Sequence, residues 1–80
     1  MERITQELEP ADQPGINRLV VGSEALKIES FEPLGCVSVE TPSGFVTLEH
    51  AASAECRCRR GYATYLIGEV EGHLFGARAV

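Results

Sequence analysis

The stretch Val37-Ser38-Val39-Glu40-Thr41-Pro42-Ser43-Gly44-Phe45-Val46-Thr47-Leu48 decides the fold class. Two runs rich in β-branched residues flank a Thr-Pro-Ser-Gly turn. Pro42 pre-sets φ at the first central position of a type I turn, and Gly44 is free to take the left-handed conformation that follows. The pattern is that of a hairpin with a three-residue loop and a glycine bulge. Pairing Thr41 with Phe45 puts Val37, Val39, Thr41, Phe45, Thr47 and Glu49 on one face. The other face then carries Cys36, Ser38, Glu40, Val46, Leu48 and His50, with Cys36 opposite His50.

Toward the N-terminus, Arg18 to Val21 reads as a strand ended by Gly22-Ser23. Leu26 to Phe31 alternates in the manner of a half-buried strand, and Pro33, Leu34 and Gly35 close it. Glu9-Pro10-Ala11-Asp12-Gln13-Pro14-Gly15 is a breaker cluster. It divides the chain into a flexible N-terminal arm over residues 1–15 and a single small β-rich domain over residues 16–80. Within the arm, Ile4 and Leu8 suit one or two turns of helix, too short to stand without docking.

Toward the C-terminus, Ala51 to Arg60 breaks the β pattern. Alanine and arginine favour helix, and Arg57, Arg59 and Arg60 would sit at the negative end of its dipole. Gly61 is a good residue to follow its last turn. One short helix is therefore expected here. Ala63 to Val70 and His73 to Ala79 then flank Glu71-Gly72 as a second hairpin. Pairing Val70 with His73 gives an apolar face of Leu66, Gly68, Val70, Phe75, Ala77 and Ala79, with Gly68 leaving room for Phe75. The expected fold is thus α+β but mainly β. It is a small antiparallel sheet of two hairpins plus one or two further strands, with one short helix.

Eighty residues allow one core with a thin margin over conformational entropy, so a homodimer would be a natural supplement. The net charge of −5 is unevenly spread. Residues 1–55 hold ten acids against Arg3, Arg18 and Lys27, a net of −7, and residues 56–80 hold two acids against four arginines, a net of +2. An acidic whole disfavours direct nucleic-acid binding and anionic membranes, and favours a partner with a basic surface. No apolar run approaches the ~20 residues a spanning helix needs, and the charged first residues do not suit a secretory signal. A cytoplasmic location follows, in keeping with three cysteines, an odd number that fits reduced thiols.

Chemistry-bearing side chains offer four readings. Cys36, His50, Cys56 and Cys58 are the mixture of thiolates and imidazole that suits tetrahedral zinc, although their spacing is not that of a finger or ribbon. On a helix, Cys56 and Cys58 would point roughly 200° apart, at ~3.6 residues per turn, and could not share one metal. The arginines around Cys56 and Cys58 could lower a thiol pKa, but no local signature supplies a base. Arg57, Arg59 and Arg60 beside Tyr62 and Tyr65 loosely suggest phosphate contact with stacking. Finally, Gly68, Gly72 and Gly76 are explained by turns and packing, because charged residues lie between them.

No serine elbow, phosphate loop or dinucleotide fingerprint is present. The expected function is a small acidic non-enzymatic interaction module that binds, or binds and inhibits, a larger protein through that protein's basic surface. Small accessory proteins of bacteria and phages often combine these traits. Glu24, Glu29, Glu32 and Glu40 are the expected partner-binding residues, and no cofactor is expected. The alternative is a zinc-stabilised structural domain using Cys36, His50, Cys56 and Cys58, and a thiol enzyme is a distant third.

Overall fold

The computed structural model describes residues 6–59 and 61–79. Six strands form one antiparallel sheet: β1 (Glu9–Pro10), β2 (Arg18–Val21), β3 (Glu24–Thr41), β4 (Gly44–Cys58), β5 (Gly61–Val70) and β6 (His73–Arg78). Their order is β1-β6-β5-β4-β3-β2, so β2 to β6 run up and down in sequence.

The turn hairpin forms one residue out of the expected register. Thr41 pairs with Gly44, Val39 with Val46 and Val37 with Leu48, leaving Pro42 and Ser43 as the loop. Gly44 has φ 116°, and the Thr41 hydroxyl donates to its carbonyl at 2.7 Å. The reason lies in the faces. A one-residue slip moves every side chain of a strand to the other side. The observed register gathers Val37, Val39, Val46 and Leu48 on one face, where Val39 and Leu48 are buried. The expected register would split them and expose one pair.

Among the described residues there is no helix, and residues 51–58 continue β4. Ala52, Ala54 and Cys56 point into the core opposite Ile67, Tyr65 and Ala63. Glu55 between them and Arg57 just beyond them are exposed. The alanines are there for their size beneath a close-packed strand, and tertiary burial overrides their helix propensity.

The buried face of β4 changes along its length. His50 has φ 51°, and the register shifts between Glu49 and Ala52, the mark of a bulge. Before it, Leu48 joins Ala51, Val39, Leu66 and Val70 in one apolar cluster. Beyond it, Ala52, Ala54 and Cys56 join Leu19, Val21, Leu26, Tyr65 and Ile67 in another. Strand β5 is consequently packed on both sides, which accounts for its nearly continuous apolar run. The two-sided core replaces the single apolar face expected for the second hairpin. Gly68 does pair with Phe75, but the room it leaves is used by β4: a Cβ there would stand 2.8 Å from Leu48 Cβ and 3.3 Å from Ala51 Cα.

Residues 9–12 draw the two ends of the sheet together. On one side Glu9 pairs with Gly76, Pro10 with Phe75, and the Ala11 amide donates to the Leu74 carbonyl at 3.0 Å. On the other side the Gly22 amide donates to Pro10 at 2.8 Å and the Asp12 amide to Val20 at 3.0 Å. Pro10 tolerates this place because its missing N–H is not needed and its carbonyl is. The sheet is nearly a closed barrel. Leu8 packs on the cluster around Leu48, and Met1 to Thr5, with Ile4 of the suggested helical turn, lie outside the described residues.

Candidate functional site

One stretch of regular strand is exposed throughout. Residues 29–36 of β3 all face solvent, although β4 pairs with them along one side. The cause is the mismatch in strand lengths. Strand β2 covers β3 only from Glu24 to Lys27, so beyond that point the outer edge of β3 has no strand partner among the described residues. An edge of this kind presents unpaired N–H and C=O groups to any chain that approaches.

The edge is guarded. The register against β4 is irregular between Ile28 and Ser30, between Pro33 and Gly35, and between Gly35 and Val37. Bulges, a proline and the charges of Glu29 and Glu32 are all devices that keep edges from pairing indiscriminately. Protection does not require the remaining feature. Phe31 is 48% exposed and Leu34 44% exposed on this same segment. Two large apolar side chains beside carboxylates, on an edge that no described strand covers, are the composition of a docking strand.

The four expected acidic residues separate into different environments. Glu29 and Glu32 stand in the exposed segment, about 10 Å apart along the strand. Glu24 lies at the start of β3, where its Oε2 accepts a hydrogen bond from the Tyr65 hydroxyl at 3.0 Å. Glu40 is half-buried near the far end, and its carbonyl accepts from the Gln6 amide at 3.0 Å. The structure adds Glu55, opposite Ser30, whose hydroxyl donates to Glu55 Oε2 at 3.2 Å. Phe31, Leu34 and Glu55 escape sequence reasoning because the bulges break the period of two that would have placed them.

The four metal candidates do not converge. Among the described residues no group of three or more His, Cys, Asp or Glu side chains is placed to hold a metal ion. Cys36 is exposed on β3, between the Gly35–Ala51 and Val37–Leu48 pairs. His50 sits in the β4 bulge with Nδ1 3.3 Å from Glu69 Oε2. Cys56 and Cys58 share one face of β4, so the helical objection to their joint action no longer applies. Cys56 is buried in the cluster around Tyr65 and Ile67, and burial, followed by the nearby Cys58, pushes its pKa up.

Cys58, Arg59 and Arg78 line a pocket of about 470 Å³ at one end of the sheet, together with Glu24 and Leu26. Neither histidine lines it, so the thiol has no imidazole base there. The expected grouping of arginines and tyrosines divides as well. Arg57 Cζ lies 5.5 Å from the centroid of the Tyr62 ring, whereas Tyr65 is buried in the core. Arg60 lies outside the described residues.

No helix among the described residues is long and apolar enough to cross a membrane. The chain matches no protein-family model, no curated protein and no solved structure. Its function is therefore read from geometry alone.

Proposed function

We propose that this protein is a small non-enzymatic interaction module whose exposed β3 segment, residues 29–36, docks a larger protein through a basic surface. The observation that carries the reading is the coincidence, on one free strand edge, of Phe31 and Leu34 with Glu29 and Glu32. A partner that adds a strand there would gain main-chain hydrogen bonds, while its pockets take the side chains. The carboxylates select against a second copy of the same edge, since like charges face each other in such a pairing, and in favour of lysine or arginine. Bulges and Pro33 limit pairing to a partner shaped for them.

The experiment is capture from the native host by the immobilised chain, run in parallel with a Glu29→Lys/Glu32→Lys variant and a Leu34→Asp variant. A partner counts only if the wild type retains it and both variants lose it. Its association rate should then fall steeply with salt, and charge reversal should lower that rate by about tenfold or more, within the usual range of steering effects. Retention by all three chains, or a rate indifferent to salt and reversal, would remove the reading.

A further inference from the structure

The register of four strands brings together side chains that lie far apart in sequence. Arg18 pairs with Lys27, Lys27 with Arg57, and Arg57 with Tyr62. Directly opposed residues in an antiparallel sheet share a face. Arg18, Lys27, Arg57 and Tyr62 therefore form one row across β2, β3, β4 and β5, about 14 Å long at ~4.8 Å per strand. All four are exposed.

Three cations placed side by side oppose folding rather than favour it. Among the described residues none of the three is in an ion pair, so the row is open to an external anion. Its end carries an aromatic platform. Tyr62 is 68% exposed, and the Arg57 guanidinium lies over its ring at 5.5 Å while Nη2 donates to its hydroxyl at 3.4 Å. Beside the ring is a hollow of about 480 Å³, also lined by Glu55, Thr64 and Arg78.

We propose that this row and hollow bind a short stretch of single-stranded nucleic acid. The phosphates lie along Arg18, Lys27 and Arg57, and a base stacks on Tyr62 in the hollow. Glu55 and Arg78 bring opposite charges to the hollow, so its lining has no net preference for a phosphate and suits an uncharged base beside the ring. An acidic peptide would be served by the cations alone and would leave the ring unused. Stacking on an exposed tyrosine flanked by cations is instead how single strands are held without sequence preference. The net charge of −5 argues against nucleic acid at long range. At physiological salt, however, charges beyond about 8 Å are largely screened, so the local field is set by the three cations of the row against the nearby carboxylate of Glu55. This surface adjoins the docking edge proposed above, with Glu55 bordering both, but its three cations and its ring are not among the docking residues.

The test is fluorescence anisotropy of a labelled oligothymidylate titrated with the full chain across a salt series. Saturable binding is expected, with a log–log salt slope of about −2, as three phosphate contacts on a single strand give. Lys27→Glu/Arg57→Glu should weaken binding at least tenfold and flatten that slope, by removing about two of the contacts. Tyr62→Ala should weaken it about tenfold and leave the slope unchanged, since stacking releases no counterions. If the double variant proves unfolded by circular dichroism, Lys27→Gln and the wild-type salt slope decide the matter. Absence of saturable binding, or binding indifferent to these changes, would overturn the proposal. So would stronger competition by polyglutamate than by unlabelled oligonucleotide, which would make the row a peptide site.

Discussion

The Tyr65 hydroxyl donates to Glu24 Oε2 at 3.0 Å, tying central strand β5 to the turn where β2 gives way to β3. Tyr65 is 6% exposed, and its pKa is pushed up from 10.0 to about 12. Burial is the main cause, followed by the hydrogen bond to Glu24 and that carboxylate's charge, with Arg78 acting the other way. The folded protein therefore holds this proton more tightly than the unfolded chain. The resulting stabilisation is complete below pH 10 and is lost as pH rises toward about 12. Tyr65→Phe should cost about 1 kcal/mol at neutral pH, below the usual range for a bond to a charged acceptor because Glu24 meets solvent. Urea melts at neutral and alkaline pH check both points: the gap between wild type and variant should narrow as pH climbs through that window. A constant gap would show that the bond contributes nothing to the alkaline transition.

Gly68 sits beneath the β4 bulge, where an added Cβ would meet Leu48 Cβ at 2.8 Å and the Ala51 backbone at 3.3 Å. Neither neighbour is the far end of a flexible side chain, so the strands must separate to admit a methyl group. Gly68→Ala is expected to cost about 1–3 kcal/mol, the range for overpacking a filled core. Thermal denaturation measures it, and an unchanged midpoint would mean that β4 and β5 are not in this contact.

The three cysteines should differ in reactivity by position rather than by neighbouring arginines. Cys36 is exposed, Cys58 half-buried, and Cys56 buried with its pKa raised. A thiol-modifying reagent at neutral pH should label Cys36 first and Cys56 only on unfolding, because the thiolate is the reacting species. Mass spectrometry of peptides after a short labelling pulse gives the order directly. Early labelling of Cys56 would contradict its place in the core.

Much of the sheet is legible in the sequence where alternation is clean. Arg18–Val21 and the pairing of Val70 with His73 both stand as read. The exceptions have physical causes. Ala51, Ala52 and Ala54 look helical in isolation, yet they are chosen for the narrow space beside β5, which only the assembled sheet creates. The hairpin register turned on whether Gly44 was the last loop residue or the first strand residue. Local turn chemistry allows both, and only the burial of Val39 with Leu48 separates them. The bulge at His50 falls on a non-glycine residue with positive φ, which sequence gives no reason to expect. As to the site, Glu29 and Glu32 were visible as acids near a strand. Their separation from Glu24, which bonds Tyr65, was not, because it depends on a contact between residues far apart in the chain. Nor does sequence reveal that β2 stops short and leaves Phe31 and Leu34 on an open edge.

On the proposed function, residues 29–36 of β3 receive a partner as an added strand. Amide hydrogen exchange measures this most directly, because outward-facing N–H groups on a free edge exchange fast until another strand covers them. The full chain would be compared alone and with the partner that survives the variant filter of the capture experiment. Protection on binding is expected to concentrate in residues 29–36, and the Glu29→Lys/Glu32→Lys chain should gain none under the same conditions. Protection that leaves this segment exchanging at its free rate, and appears elsewhere on the sheet, would contradict it.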